Sequence, residues 1–155
     1  MITKQEVLKV QKKWSDGLLK IVEKHQNNKD YTLEASNFID EVYAYSSGEV
    51  LFKPTLATDV QFRLNKVAAL SYFIGGNPDF KEDKGFALKG WTAVRWENSA
   101  INLEGNIAFA MGNYYFKNKD GELKVEFSFA YKIEDNCLKI ILHDSHFPFK
   151  KINER

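Results

Sequence analysis

Two hydrophobic periods divide the chain. In KQEVLKVQKKWSDGLLKIVEKHQ, residues 4 to 26, the apolar positions Val7, Val10, Trp14, Leu18, Ile21 and Val22 recur at helical steps. That spacing places one apolar stripe on a helix of about 20 residues. Gly17 weakens this helix by up to ~1 kcal/mol without ending it. His25 falls in the last turn, where the helix dipole favours a solvated histidine. NNKD then breaks the helix. A second helix is expected in TLEASNFIDEVYAY, with Leu33, Phe38, Val42 and Tyr45 on one face, and SSGE stops it. VLFKPT reads as extended, because Pro54 biases Lys53 away from helix. A third helix is expected in QFRLNKVAALSYFIGG, with Phe62, Lys66, Ala69 and Phe73 on one face and Gly75 and Gly76 as the stop.

The second half alternates with period two. TAVRWENSAINL, GNIAFAMGNYYF, ELKVEFSFAYKI and CLKIILHDSHFPF are expected strands, joined by turns rich in Gly, Asn and Asp. In the third of them Val125, Phe127, Phe129, Tyr131 and Ile133 point one way. Helices followed by an antiparallel meander make an α+β fold. A strongly bent sheet wrapped around a helix leaves a pocket at its open end, where ligands usually sit.

Composition narrows this picture. A chain of 155 residues suits one domain, here expected to span 1–155. Aromatics at 14% suit a large curved sheet packed on helices. Lys plus Arg is 22 and Asp plus Glu is 21, a net charge of +1. That balance argues against nucleic acid as a partner. A single cysteine, Cys137, excludes an internal disulfide and any multi-cysteine metal site, and is expected to be a small buried hydrophobe. The chain shows no apolar run of membrane-spanning length and no apolar leader, so the expectation is a cytoplasmic protein away from the membrane.

The concentrated chemistry lies in HDSH, residues 143 to 146. Strand residues two apart share a face. His143 and Ser145 therefore point together, expected on the side of Ile141. Asp144 and His146 point to the other side, expected with Ile140 and Leu142. A metal held by Asp144 and His146 needs a third ligand from another strand. The other reading is a polar pair, His143 and Ser145, facing the pocket. Neutral imidazole is a base near pH 7, and a hydroxyl can donate to an anion or hold a water. Satisfied polar groups at a strand end explain the pair equally well. Trp91, Trp96, Tyr114 and Tyr115 read as core or oligomer-face aromatics. Arg95 is either a pocket anion contact or a partner of Glu97 or Glu126. EDKG reads as a solvated turn. GGNPDF lacks the strand–loop–helix spacing of a phosphate cradle.

Beyond the pattern, VLFKPTLA, ALSYFIGG, EDKGFALKGWTAVRWEN, AMGNYYF, VEFSFAYK and LKIILHDSHFP occur in one order. Together they resemble the iota-class carbonic anhydrase domain. That domain is similar to the calcium/calmodulin-dependent kinase II association domain, in the nuclear-transport-factor-2-like and SnoaL-like superfamily. The resemblance covers residues 31–149, with residues 1–28 as an added N-terminal helix. It implies a cone-shaped α+β fold, a homodimer, no cofactor, and reversible hydration of carbon dioxide to bicarbonate without a metal. It also implies a bicarbonate site of Thr55, Tyr72, His143 and Ser145, with His143 as base or water orienter.

The family's motif ends His-His-Ser-Ser, whereas this chain has Asp144 and His146 at the second and fourth places. A carboxylate beside His143 is expected to raise its pKa, leaving it protonated and so no base at neutral pH. A metal-free enzyme relying on general-base help, typically worth 10²–10⁴-fold, is expected to be slower than zinc enzymes. Two other readings remain at this point. One is a non-enzymatic oligomerising or ligand-binding module. The other is a ketosteroid-isomerase-like or cyclase-like enzyme with an acidic base in the cone.

Overall fold

The computed structural model describes residues 1–152. Helix α1 (Lys4–Gln26) starts at a capping box: Thr3 accepts from the Glu6 N–H, and Glu6 reaches back to the Thr3 N–H. All six stripe residues read from the sequence are buried. Gly17 has a packing reason, because a Cβ there would run into the Phe38 ring of the next helix.

Helix α2 (Tyr31–Val42) is capped by Asp30 and buries Ala35, Phe38, Ile39 and Val42. Leu33, expected on the inner face, is 56% exposed. The chain leaves the helix at Tyr43, which turns extended. Tyr43 and Tyr45 therefore belong to the connection and not to the helix.

Strand β1 (Leu51–Lys53) is short. Helix α3 (Lys66–Ile74) begins at the Asn65 cap, well after the Gln61 start expected from periodicity. Residues 61 to 64 stay irregular because the Arg63 N–H donates to the Phe52 carbonyl and its guanidinium is buried against Asp83. Phe62 and Val67 are consequently exposed.

Strands β2 (Ala93–Glu104), β3 (Ile107–Asn118), β4 (Gly121–Glu134) and β5 (Cys137–His146) fall where the period-two pattern put them. The sheet order is β1-β5-β4-β3-β2, antiparallel except for β1 beside β5. Asp135 and Asn136 both take positive φ between β4 and β5, the type I′ turn that tight hairpins prefer.

Two irregularities bend the sheet. β2 bulges between Asn98 and Ala100 opposite Gly112, where any Cβ would strike the Glu97 carbonyl. β5 bulges at Ile141: Tyr131 pairs with Ile140, while Ala130 pairs with Leu142. The extra residue changes the alternation. Ile140 is buried on the same side as His143 and Ser145, so its expected place with Asp144 and His146 is corrected.

The curved sheet closes around α1. Trp14 of α1 touches Phe38, Phe73, Trp96, Tyr114, Phe116 and His143, which come from both other helices and from β2, β3 and β5. Cys137 is exposed at the β4–β5 turn, contrary to the expectation of burial, because hairpin position overrides its apolar character.

Candidate active site

His143 lies in the middle of this aromatic core. The register explains its surroundings: Phe52 is its partner across β1 and Phe129 its partner across β4. The two rings stack on the imidazole from either side, with centroids at 4.8 Å and 4.0 Å. His143 is 2% exposed and Ser145 1%. Burial holds the His143 pKa well below its ordinary value. The expected upward pull of Asp144 does not operate, because that carboxylate lies on the other face of the strand.

Both imidazole nitrogens are hydrogen-bonded. Nδ1 lies 2.8 Å from the Tyr43 hydroxyl, and Nε2 lies 3.0 Å from the Tyr114 hydroxyl. Tyr43 also accepts from the Trp14 indole N–H at 3.0 Å. Tyr114 continues to the Ser145 hydroxyl, and Ser145 to the Thr55 hydroxyl, each contact at 2.5 Å. The Tyr72 hydroxyl lies beside Thr55 and accepts from the Leu56 N–H. Burial pushes Tyr43, Tyr72 and Tyr114 well above the ordinary tyrosine range, so all three are neutral hydroxyls.

The four residues named from the sequence, Thr55, Tyr72, His143 and Ser145, are thus brought together around one small cavity. Tyr114 and Trp14 also line it, the rest of the lining is apolar, with Phe52, Phe73 and Phe86 prominent, and it contains no carboxylate. It measures about 10 Å³, room for about one water. An acidic base in the cone, as a ketosteroid-isomerase-like reading requires, is missing from this lining.

Tyr43 and Tyr114 join this cluster although sequence reasoning did not assign them to it. Tyr43 fell inside the expected second helix with no role of its own, and Tyr114 read as a core or oligomer-face aromatic. Their signal is a buried hydroxyl next to a buried histidine, which emerges once the strands are registered.

The loop carrying Thr55 is fixed from behind. Arg63, with no exposed side-chain surface, makes two bonds to Asp83, at 2.7 Å and 2.8 Å, and bonds the Ala68 carbonyl. Glu82 accepts from the N–H groups of Thr58 and Val60, and those backbone bonds help to lower its pKa. EDKG is therefore an anchor for the Thr55 loop and not a solvated turn. Lys53 adds a bond from its ammonium to the Ser145 carbonyl at 3.0 Å.

Asp144 and His146 occupy the outer face. His146 lies 2.8 Å from Glu126 and 3.5 Å from Asp144, all three side chains being 40–44% exposed. Among the described residues, no three His, Cys, Asp or Glu side chains converge as a metal site would require. Arg95 is also on the outside, over the Tyr115 ring and paired with Glu122 and Glu97, which bears out the Glu97 pairing and not the pocket contact.

The fold and the site define a class: a nuclear-transport-factor-2-like α+β fold whose inner face carries a chain of hydroxyls ending in an apolar pocket. Comparison with known proteins makes this specific. Residues 5–147 match the family model described as metal-independent carbonic anhydrase. The chain is 39% identical over 155 residues to the metal-independent carbonic anhydrase of Nostoc sp., covering 97% of this chain and 76% of that protein. It also matches the crystal structure of a cyanobacterial iota-carbonic anhydrase complexed with bicarbonate. That match has a TM-score of 0.93 and 37% identity, over 97% of this chain and 94% of the other.

The chain belongs to the metal-independent carbonic anhydrase family. The match begins inside α1, ahead of the segment 31–149 that carries the sequence motifs, and so takes in Trp14. A putative calcium/calmodulin-dependent kinase II association domain from Xanthomonas campestris shares the fold alone. Its TM-score is 0.59 at 21% identity, over 96% of this chain and 89% of that one.

Proposed function

We propose that this carbonic anhydrase interconverts carbon dioxide and bicarbonate in the pocket formed by Thr55, Tyr72, Ser145 and the ring of His143. The observation that carries this reading is the continuous hydrogen-bond chain from His143 through Tyr114 to Ser145 and Thr55 at the wall of an apolar cavity. Carbon dioxide has no charge and enters among phenylalanines without a desolvation penalty, and because the resting cavity holds about one water its lining widens to take carbon dioxide or bicarbonate. Bicarbonate and the transition state leading to it carry charge on oxygen. Donors already fixed in a water-poor site stabilise that charge without reorganising.

In hydration the water oxygen bonds to carbon and one C=O electron pair moves onto oxygen. The water's O–H bond breaks. His143 does not take that proton directly, since both its nitrogens are engaged and its burial disfavours the imidazolium. Thr55 is half-buried at the end of the chain. The proton therefore leaves the attacking water to bulk solvent at this open end, so no charge remains on the protein. The role of His143 is to orient Tyr114 and, through it, Ser145. The enzyme works as one domain. The outer sheet face, where Phe109 and Met111 are exposed, supports a homodimer.

Stopped-flow carbon dioxide hydration with and without a strong chelator tests this reading. Equal rates above the buffer background in both conditions are expected. Background rates in both would overturn the function, and a loss confined to the chelator would overturn the metal-free mechanism.

A further inference from the structure

The direction of the hydroxyl chain is fixed at its buried end. Tyr43, Tyr114, Ser145 and Thr55 bring one hydroxyl proton each, and neutral His143 brings one ring proton. These five protons serve four contacts: Tyr43–His143, His143–Tyr114, Tyr114–Ser145 and Ser145–Thr55. One proton is left over. It is not the ring proton, because both nitrogens are in contacts, and on Tyr114 or Ser145, each 1% exposed and bonded only within the chain, it would have no acceptor, so it sits at one end.

The two ends differ. Tyr43 is 1% exposed, and Phe38, Phe52 and Phe73 surround its ring. Its polar neighbours are the Trp14 N–H, which can only donate, and His143 Nδ1. A surplus proton on Tyr43 would have no acceptor in a buried site, which is costly. Thr55 is half-buried and lines the cavity together with Tyr72, so its proton can reach water, the Tyr72 oxygen or a bound anion.

We infer that Tyr43, backed by the Trp14 indole, is a positioning residue that holds His143 as the Nε2–H tautomer and thereby points every hydroxyl of the chain toward the pocket. Tyr43 donates to Nδ1, and Nε2–H donates to Tyr114. Tyr114 then donates to Ser145, and Ser145 to Thr55. The pocket consequently faces its ligand with a donor, as an anionic oxygen requires. The opposite tautomer would reverse the whole chain and present lone pairs to bicarbonate. The inference rests on the proposed pocket only for its effect on turnover; the tautomer is a property of the resting protein.

The test is long-range ¹H–¹⁵N NMR of the ¹⁵N-histidine-labelled protein. The chain has three histidines, so the His143 signals are assignable with His25→Gln and His146→Gln variants. Nε2 protonated and Nδ1 bare is the expected pattern. A protonated Nδ1, alone or with Nε2, would overturn the inference. Because this spectrum needs no turnover, it separates failure of the tautomer from failure of the enzymatic reading. In Tyr43→Phe the single tautomer is expected to give way to a mixture. Turnover is expected to fall roughly tenfold, the worth of one buried hydrogen bond, with the KM for carbon dioxide little changed. A single Nε2–H tautomer and unchanged turnover in that variant would also overturn it. If Tyr43→Phe does not fold, the wild-type spectrum decides alone.

Discussion

The two faces of β5 carry similar residue types and do opposite things. Inside, His143 and Ser145 are sealed among aromatics and joined to tyrosine and threonine hydroxyls. Outside, His146 and Asp144 lie in solvent beside Glu126. The difference comes from pleating alone, since neighbours along a strand face opposite sides. It teaches that the departures from the family motif, at positions 144 and 146, fall where they cost least. A histidine in a low-dielectric sandwich is held neutral and serves as a fixed donor and acceptor. A histidine in water next to carboxylates belongs to a screened surface cluster.

The largest test of this contrast removes a hydroxyl from the inner face. Ser145→Ala breaks the chain between Tyr114 and Thr55. Carbon dioxide hydration measured by stopped flow is expected to fall about 10²–10³-fold, the usual loss for one preorganised donor. Next comes the anchor of the Thr55 loop. Asp83→Ala leaves Arg63 buried without its partner and is expected to cost about 3–5 kcal/mol in denaturant unfolding. A cost under 1 kcal/mol would mean that the loop is held by something else.

The pH dependence of stability sharpens the contrast further. Burial depresses the folded pKa of His143, whereas the unfolded chain takes up a proton below about 6.5. The unfolded state therefore binds more protons as pH falls. The contribution of neutral His143 is fully present above pH ~6.5 and is lost below it, by at most about 1.4 kcal/mol per pH unit, toward the folded value. Urea titrations from pH 7.5 to 5 are expected to show this slope, and His143→Gln to flatten it. The smallest effect belongs to the outer face. Asp144→Asn with His146→Ala is expected to change stability by about 0.5 kcal/mol or less and to leave hydration within about twofold.

Much of this was legible in the sequence, for identifiable reasons. The α1 stripe and the four long strands follow periods that tertiary structure leaves intact. The sorting of His143 with Ser145 needed only the alternation of a strand. What was not legible depends on contacts between distant segments. The start of α3 is set by Arg63 turning inward to Asp83, a buried ion pair with no local signal. The side taken by Ile140 is set by a bulge that appears only when β4 and β5 are registered. The roles of Tyr43 and Tyr114 come from the approach of three separate elements to one imidazole.

The most direct test of the central claim is a crystal soaked in bicarbonate. The anion is expected in the inner pocket, about 2.6–3.2 Å from the hydroxyls of Thr55, Tyr72 and Ser145, with the imidazole of His143 still bonded to Tyr43 and Tyr114. Bicarbonate bound instead at Asp144 and His146, or reached through a metal ion, would contradict the account.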